Sequence, residues 1–382
     1  MNSSAEKYAG IYFHIPFCER LCPYCDFYSI TGLDEKGSEF IESVTKEAGS
    51  RANRYSTWTF DTVYFGGGTP SLLGVSQLGT ILQSLRSHFR IASDAEISIE
   101  SNPSSLNPEK LSSYLESGIN RLSLGIQSFN DVNLKTLGRI HDSKKAIQSF
   151  ETARKAGFEN ISIDLIYGLP GQTPARWNDD LSTAASINPN HISAYNLIIE
   201  RNTIFGELYQ QGKLDLPADD DQREMYYSLI DHLDDAGFER YELSNFARDG
   251  KYCRHNLKYW RDGRYLGFGP SAVSCDGQRR EKNIADLKKY SEKVRSGEDI
   301  LEYSETIDPE KAREERIMMG LRLTEGLSLC DYKSEFGIDL KAEKELELRL
   351  LMEKGYVTIE GDRLEISRDG LFISDEITVK LI

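Results

Sequence analysis

The sequence predicts an α/β chain: a partial barrel of six βα units, followed by a small winged-helix-like α+β domain. Three observations lead there. From Gly10 to about Leu197, short β-rich apolar runs alternate with longer amphipathic stretches, the pattern of a parallel sheet with right-handed crossovers. The residues least suited to a core gather where those runs end, and in a βα barrel the loops after the strands open on one face. Beyond about Asp308 the alternation gives way to helices and then a hairpin.

The strand candidates are Ile11 to Ile15, Thr62 to Phe65, Glu96 to Glu100, Arg121 to Gly125, Ile161 to Ile166 and His191 to Leu197. The clearest helix runs from Lys144 to Ala156, where Ala146, Ile147, Phe150, Ala153 and Ala156 recur at helical steps and Gly157 is a stop. A second, Gln77 to Phe89, places Leu78, Ile81, Leu82 and Leu85 on one face. An open doubly wound sheet would also suit this alternation. The barrel is favoured because Cys18, the Gly66-Gly67-Gly68-Thr69-Pro70 run, Glu100 and Gln127 follow or end the first four strands, with Asp164 inside the fifth.

From about Leu216 the alternation stops. An acidic helix is expected from Asp219 to Ala236 and one more strand from Arg240 to Leu243. The stretch Cys253 to Cys275, rich in glycine and aromatics, shows no period and reads as an irregular segment of functional or packing value. Helices follow at Pro309 to Leu323 and Ala342 to Lys354, then Tyr356 to Ile359 and Arg363 to Ile366 around Glu360-Gly361-Asp362. The expected division is residues 1–215 for the barrel, 216–305 for a connecting region and 306–382 for the C-terminal domain.

Composition excludes several functions. The 382 residues are 39% hydrophobic and 28% charged, as in globular proteins. A net charge of -15 opposes phosphate-backbone binding, so no nucleic-acid partner is expected even for a winged-helix-like tail, which is itself acid-rich. No run approaches a membrane span and the first residues contain no apolar signal core, so a cytoplasmic protein is expected.

The chemistry concentrates in Gly10 to Phe27. Cys18, Cys22 and Cys25 directly follow the first strand. Thiolates this close are strained as disulfides, but they can converge on an iron-sulfur cubane, leaving one iron without a protein ligand. A Cys3His zinc site using His14 and unligated structural cysteines are the alternatives. The three glycines after strand two let backbone pass close to a ligand, more than a tight turn needs. Glu100 ends an apolar strand, where a charge is costly without partners such as paired ribose hydroxyls.

The CxxxCxxC spacing with Phe27 resembles the radical S-adenosylmethionine (radical SAM) superfamily. That resemblance implies a 4Fe-4S cluster on Cys18, Cys22 and Cys25, with SAM on the open iron and cleaved to a 5'-deoxyadenosyl radical. More narrowly, YFHIPFCERLCPYCDF, YFGGGTPS, SIESNP, RLSLGIQSF, GRIH and DLIYGLPGQT resemble landmarks of the oxygen-independent coproporphyrinogen III oxidase-like family, over nearly the whole chain. The match implies SAM contacts from Tyr12, Tyr24, Gly67, Gly68, Thr69, Glu100, Gln127, Arg139 and Asp164, and a radical SAM partial barrel.

Two functions occur in that family: a dehydrogenase that decarboxylates coproporphyrinogen propionates, and a heme chaperone that passes heme to an acceptor protein. Three features point to the chaperone group. Phe27 stands where the dehydrogenase usually carries a fourth cysteine, the segment before Cys18 is short, and His255 to Trp260 matches the group's HNxxYW motif. Heme is therefore an expected cofactor, with His255 as candidate axial ligand and Tyr259 and Trp260 offering flat faces to the porphyrin. Without a CxxCH run, thioether attachment is not expected.

Overall fold

The computed structural model describes residues 8–261 and 263–382. All six expected strands form: β1 (Ala9–Ile15), β2 (Thr59–Gly67), β3 (Arg90–Ser101), β4 (Arg121–Gln127), β5 (Ile161–Tyr167) and β6 (His191–Asn196). They pair parallel in chain order. The crossovers carry α1 (Leu33–Arg51), α2 (Val75–His88), α3 (Pro108–Glu116), α4 (Asp131–Thr136), α5 (Ser143–Ala156) and α6 (Pro174–Ser186). Helix α5 shows why its limits were readable. The Asp142 carboxylate accepts from the Lys145 amide at 2.7 Å, and Gly157 turns the chain with φ 106°.

Side chains alternate across these strands with period two. Ile11, Phe13, Val63, Phe65, Ile97, Ile99, Leu122, Leu124, Ile163 and Leu165 belong to one core with helix residues such as Phe40, Leu82 and Phe150. The alternate positions are polar and lie on the other face: Tyr12, Thr62, Tyr64, Glu96, Glu100, Arg121, Ser123, Ser162, Asp164, His191 and Ser193. A polar inner face needs polar partners, and the middle of the chain supplies many of them.

After β6 come α7 (Ile204–Gln210), α8 (Asp219–Asp235), β7 (Glu239–Arg240), β8 (Asn245–Ala247), α9 (Arg254–Arg261), β9 (Arg264–Phe268), β10 (Val273–Asp276), β11 (Arg279–Asn283), α10 (Leu287–Ser296) and β12 (Leu301–Thr306). Residues 216–305 thus do more than connect two units. They extend one twelve-stranded sheet in the order β12-β11-β10-β9-β1-β2-β3-β4-β5-β6-β8-β7. The stretch from Cys253 to Cys275, expected to be irregular, holds α9, β9 and most of β10. Its strand character comes from β9 lying parallel to β1, about 250 residues away in the chain. Of the strand expected at Arg240 to Leu243, only Arg240 lies in a strand, at the end of β7; the chain then turns before β8, with Glu242 accepting the Ser244 amide at 3.0 Å.

Helix α9 and the chain before it fill the polar face. Thr62 of β2 bonds His255 at 2.9 Å, and Glu96 of β3 accepts the amides of Arg254 and His255 at 3.3 and 3.2 Å. Arg121 of β4 donates to the carbonyls of Lys251 and Tyr252, and His191 of β6 meets the Tyr241 hydroxyl at 2.7 Å. Four strands reach one short segment from different sides. The sheet therefore curves around it, open between its edge strands β7 and β12, as a partial barrel.

The C-terminal domain comprises α11 (Pro309–Arg322), β13 (Leu327–Ser328), α12 (Leu329–Phe336), α13 (Leu340–Glu343), α14 (Glu345–Glu353), β14 (Val357–Glu360), β15 (Arg363–Ile366) and α15 (Ser374–Leu381). The helix expected from Ala342 to Lys354 is interrupted at Lys344. Its three strands form a separate sheet over a core containing Ile317, Leu321, Tyr332, Leu348 and Leu364. The domain meets the barrel through Arg322, which pairs with buried Glu242 at 2.9 Å and lies 4.5 Å over the Trp260 ring. Among the described residues, no helix is long and apolar enough to cross a membrane.

Candidate functional site

At the C-terminal ends of the parallel strands lies a cavity of 510 Å³, the size of a small-molecule site. It opens where a βα barrel carries its chemistry. Cys18, Cys22 and Cys25 line it, on the loop between β1 and α1. That loop is closed at its base, where the Cys18 amide donates to Ile30 at 2.9 Å and the Ile30 amide to Pro16 at 2.7 Å. None of the three thiols is in a disulfide. Burial pushes the Cys18 thiol up and the Cys25 thiol up to about 11. Ligating iron would therefore release protons from these thiols.

The glycines after β2 are required by close backbone approach. The Gly68 amide donates to Ile15 at 2.8 Å, and a Cβ there would stand 2.7 Å from the Phe17 carbonyl oxygen. Gly67 has φ 106°, and its Cβ would meet the His14 ring at 2.7 Å. Thr69 donates to the Cys18 sulfur at 3.7 Å. Arg139 reaches the Cys22 sulfur at 3.6 Å and the Gly125 carbonyl at 2.9 Å.

Two carboxylates project inward. Glu100 accepts from the Tyr64 hydroxyl at 2.8 Å and the Gly67 amide at 3.2 Å, while Asp164 accepts from Ser123 at 2.9 Å. Burial, then the neighbouring Asp164 charge, push Glu100 up to about 7, and burial raises Asp164 as well. Gln127 adopts a left-handed φ of 71°, costly for a residue with a side chain, at a register shift between β4 and β5.

Of the expected SAM contacts, Tyr24, Gly67, Gly68, Thr69, Glu100, Gln127, Arg139 and Asp164 line this one cavity. Tyr12 does not. It lies behind the floor, its ring 6.3 Å from Tyr64 and its hydroxyl 3.2 Å from His14. His14 has both ring nitrogens engaged, the second with the Tyr28 carbonyl at 2.7 Å, which argues against its use as a zinc ligand.

The three candidate heme residues, His255, Tyr259 and Trp260, lie outside the lining of this cavity. His255 is 1% exposed, and its two nitrogens meet Thr62 at 2.9 Å and Tyr259 at 3.0 Å. Burial, then Lys258, lower it to about 3. Both ring nitrogens are thus held by protein partners, and the ring is packed within the barrel under Tyr64. Tyr259 caps this histidine, and Trp260 packs toward the C-terminal domain rather than a porphyrin. Asn256 is the member of the motif that lines the cavity. Sequence reasoning overlooked it, as it overlooked Ser101, Asn102, Ser193, Tyr195 and Asn196. Their signal was position, at the ends of β3 and β6.

The cavity also contains buried polar atoms that no group among the described residues satisfies: Ser101 Oγ, Arg139 Nε and Asn196 Oδ1. Unsatisfied buried polar atoms are costly. Together with three thiols on one wall and carboxylates on another, they fit a polar ligand beside a thiolate-held cluster.

Comparison with known proteins agrees with this geometry. Residues 12–184 match the radical SAM superfamily model, and residues 307–373 match the HemN C-terminal domain. Heme chaperone HemW of Bacillus subtilis is 36% identical, with 96% of this chain and 97% of that protein covered. Heme chaperone HemW of Synechocystis is 40% identical, over 85% of this chain and 80% of that one. The solved structure of Escherichia coli coproporphyrinogen III oxidase (HemN), described as a radical SAM enzyme, superposes with a TM-score of 0.85 at 25% identity, covering 99% of this chain and 91% of that one. With the cysteine loop, the glycine run and the inward carboxylates meeting at the mouth of a partial barrel, the chain belongs to the HemW heme chaperone family within the radical SAM superfamily.

Proposed function

We propose that this protein is a cytoplasmic heme chaperone that binds heme and passes it to an acceptor protein, carrying a 4Fe-4S cluster and SAM in its barrel. The observation that carries this reading is the near-full-length match to relatives named heme chaperone. Phe27, where the coproporphyrinogen dehydrogenases usually have a cysteine, supports it.

Cys18, Cys22 and Cys25 would hold the cluster, whose bound state supplies one-electron reduction to a ligand on its open iron. This chain's own residues bind and orient. Gly67, Gly68 and Thr69 present backbone and a hydroxyl beside the thiols, and Arg139 places positive charge next to Cys22. Glu100 offers its carboxylate to ribose hydroxyls, Tyr24, Gln127 and Asp164 complete the walls, and Tyr12 supports Tyr64 from behind.

The test of function is a parallel assay on anaerobically purified protein with its cluster reconstituted. Heme is expected to bind stoichiometrically, while coproporphyrinogen supplied with SAM and an electron donor is expected to lose no carbon dioxide. Turnover would assign the chain to the dehydrogenases instead.

Glu100 makes SAM binding depend on pH. Its carboxyl is neutral below about pH 7, and a neutral acid accepts ribose hydroxyls poorly. Affinity should therefore weaken as pH falls through 7. Glu100→Gln should remove that dependence and cost roughly tenfold to a hundredfold in affinity, as for one or two hydrogen bonds to a charged group. Stability of the ligand-free chain runs the other way. With a folded pKa raised from 4.5 to about 7, the Glu100 contribution is fully present below 4.5 and is lost as pH rises through 7. Glu100→Gln should accordingly flatten the unfolding profile between pH 4.5 and 7. Calorimetric titration with SAM and thermal melts across this window check both signs.

A further inference from the structure

With His255 enclosed, the porphyrin needs another seat. The cavity is polar at depth, where Glu100, Ser101, Asp164, Ser193 and Asn256 line it, and its rim carries a group of exposed apolar side chains. Phe27 is 65% exposed, Ile198 70%, and Ile140 and Tyr195 40% each, and all four line the same opening. Soluble proteins rarely leave large apolar side chains grouped around a cavity without a ligand or partner to cover them. These four come from the cysteine loop, the segment after α4 and the end of β6, so the barrel brings them to one mouth from three places in the chain.

A charge pattern adjoins the rim. A hollow of 350 Å³ beside the mouth shares Arg20, Gly138 and Arg139 with the cavity and adds Lys135. Arg139 is committed to Cys22 and Gly125. Of the acids in the hollow, Asp131 and Asp142 are occupied by the backbone amides of Ser143 and Lys145 at 2.8 and 2.7 Å. Glu19, also exposed, lines the cavity next to Arg20. Arg20 and Lys135 are exposed and form no ion pair among the described residues. A flat apolar body with carboxylates on one edge matches an apolar rim flanked by such cations.

We propose that heme lies across the mouth of the cavity, its rings against Phe27, Ile140, Tyr195 and Ile198 and its propionates toward Arg20 and Lys135, with no iron bond from His255. This placement rests on the heme-chaperone reading and gives the porphyrin an exposed position from which an acceptor can take it. Other occupants of an apolar rim, such as the acceptor's own surface, would leave heme affinity unchanged when the rim is altered.

The test is heme titration, followed by absorbance, of the anaerobically reconstituted full chain. Ile198→Asp and Phe27→Asp are each expected to weaken heme binding at least about tenfold, the worth of about 1.4 kcal/mol, with iron content retained. Val379→Asp, an equally exposed apolar position on α15, controls for non-specific adsorption and should bind as wild type. His255→Gln should leave the heme spectrum unchanged. Wild-type affinity in both rim variants, equal loss in Val379→Asp, or an altered spectrum in His255→Gln would each overturn the placement. Failure of the unmodified protein to bind heme would instead reject the chaperone reading itself.

Discussion

Cys22→Ala is expected to reduce the iron of the reconstituted protein from about four atoms per chain to almost none, with loss of the brown cluster absorbance. Three thiolates are the minimum from which a cubane with one free corner can hang, and Cys22 is the middle of the three. Its sulfur is also the one that Arg139 approaches, at 3.6 Å, so the variant leaves that guanidinium facing an apolar methyl. No substitute is at hand. Cys253 and Cys275 are buried elsewhere, and Cys330 lies in the C-terminal domain. Cys330→Ala should therefore keep its full iron content, which separates loss of a ligand from general thiol damage. Iron and acid-labile sulfide measured per chain decide the matter; an unchanged value in Cys22→Ala would remove the basis for both the cluster and SAM.

Arg121→Met should be the most destabilising single change in the barrel, by about 3 to 5 kcal/mol, as when one partner is removed from a buried charged network. Arg121 is 2% exposed. It donates to the Asn160 side chain at 3.1 Å and to the carbonyls of Lys251 and Tyr252, and lies 4.0 Å from Glu96. Methionine fills much of the volume but satisfies none of those acceptors, and it leaves Glu96 buried without its cation. Because Glu96 holds the amides that begin α9, the damage should pass to the helix that fills the barrel. Urea denaturation should show a lowered midpoint. A midpoint within experimental error of wild type would mean that α9 is held by packing alone.

The two variants probe different kinds of information. Cys22 was legible as a ligand because three cysteines within eight residues are a local arrangement, interpretable without knowing the fold. Gly68 was legible for the same reason, and so were the six strands, whose apolar positions recur with a period that short-range sterics impose. Arg121 was not. Nothing in RLSLGIQSF says that its first residue will meet carbonyls 130 positions later. The HNxxYW motif shows the limit most clearly. Histidine between large aromatics is chemically suited to iron, and only the position of α9 inside the sheet turns both its nitrogens to protein partners.

What the sequence determined by itself was the succession of strands and helices, the thiol triad, the glycine passage and the inward carboxylates, all consequences of residue type and short spacing. What the tertiary structure alone decided was which polar groups face a cavity and which face each other. Strand β9 joins β1 across most of the chain, α9 is enclosed by the curved sheet, and the exposed rim is assembled from three separate segments. Such placements depend on burial and on contacts between distant segments, and a hydrogen-bonding side chain carries no mark of which partner it will find.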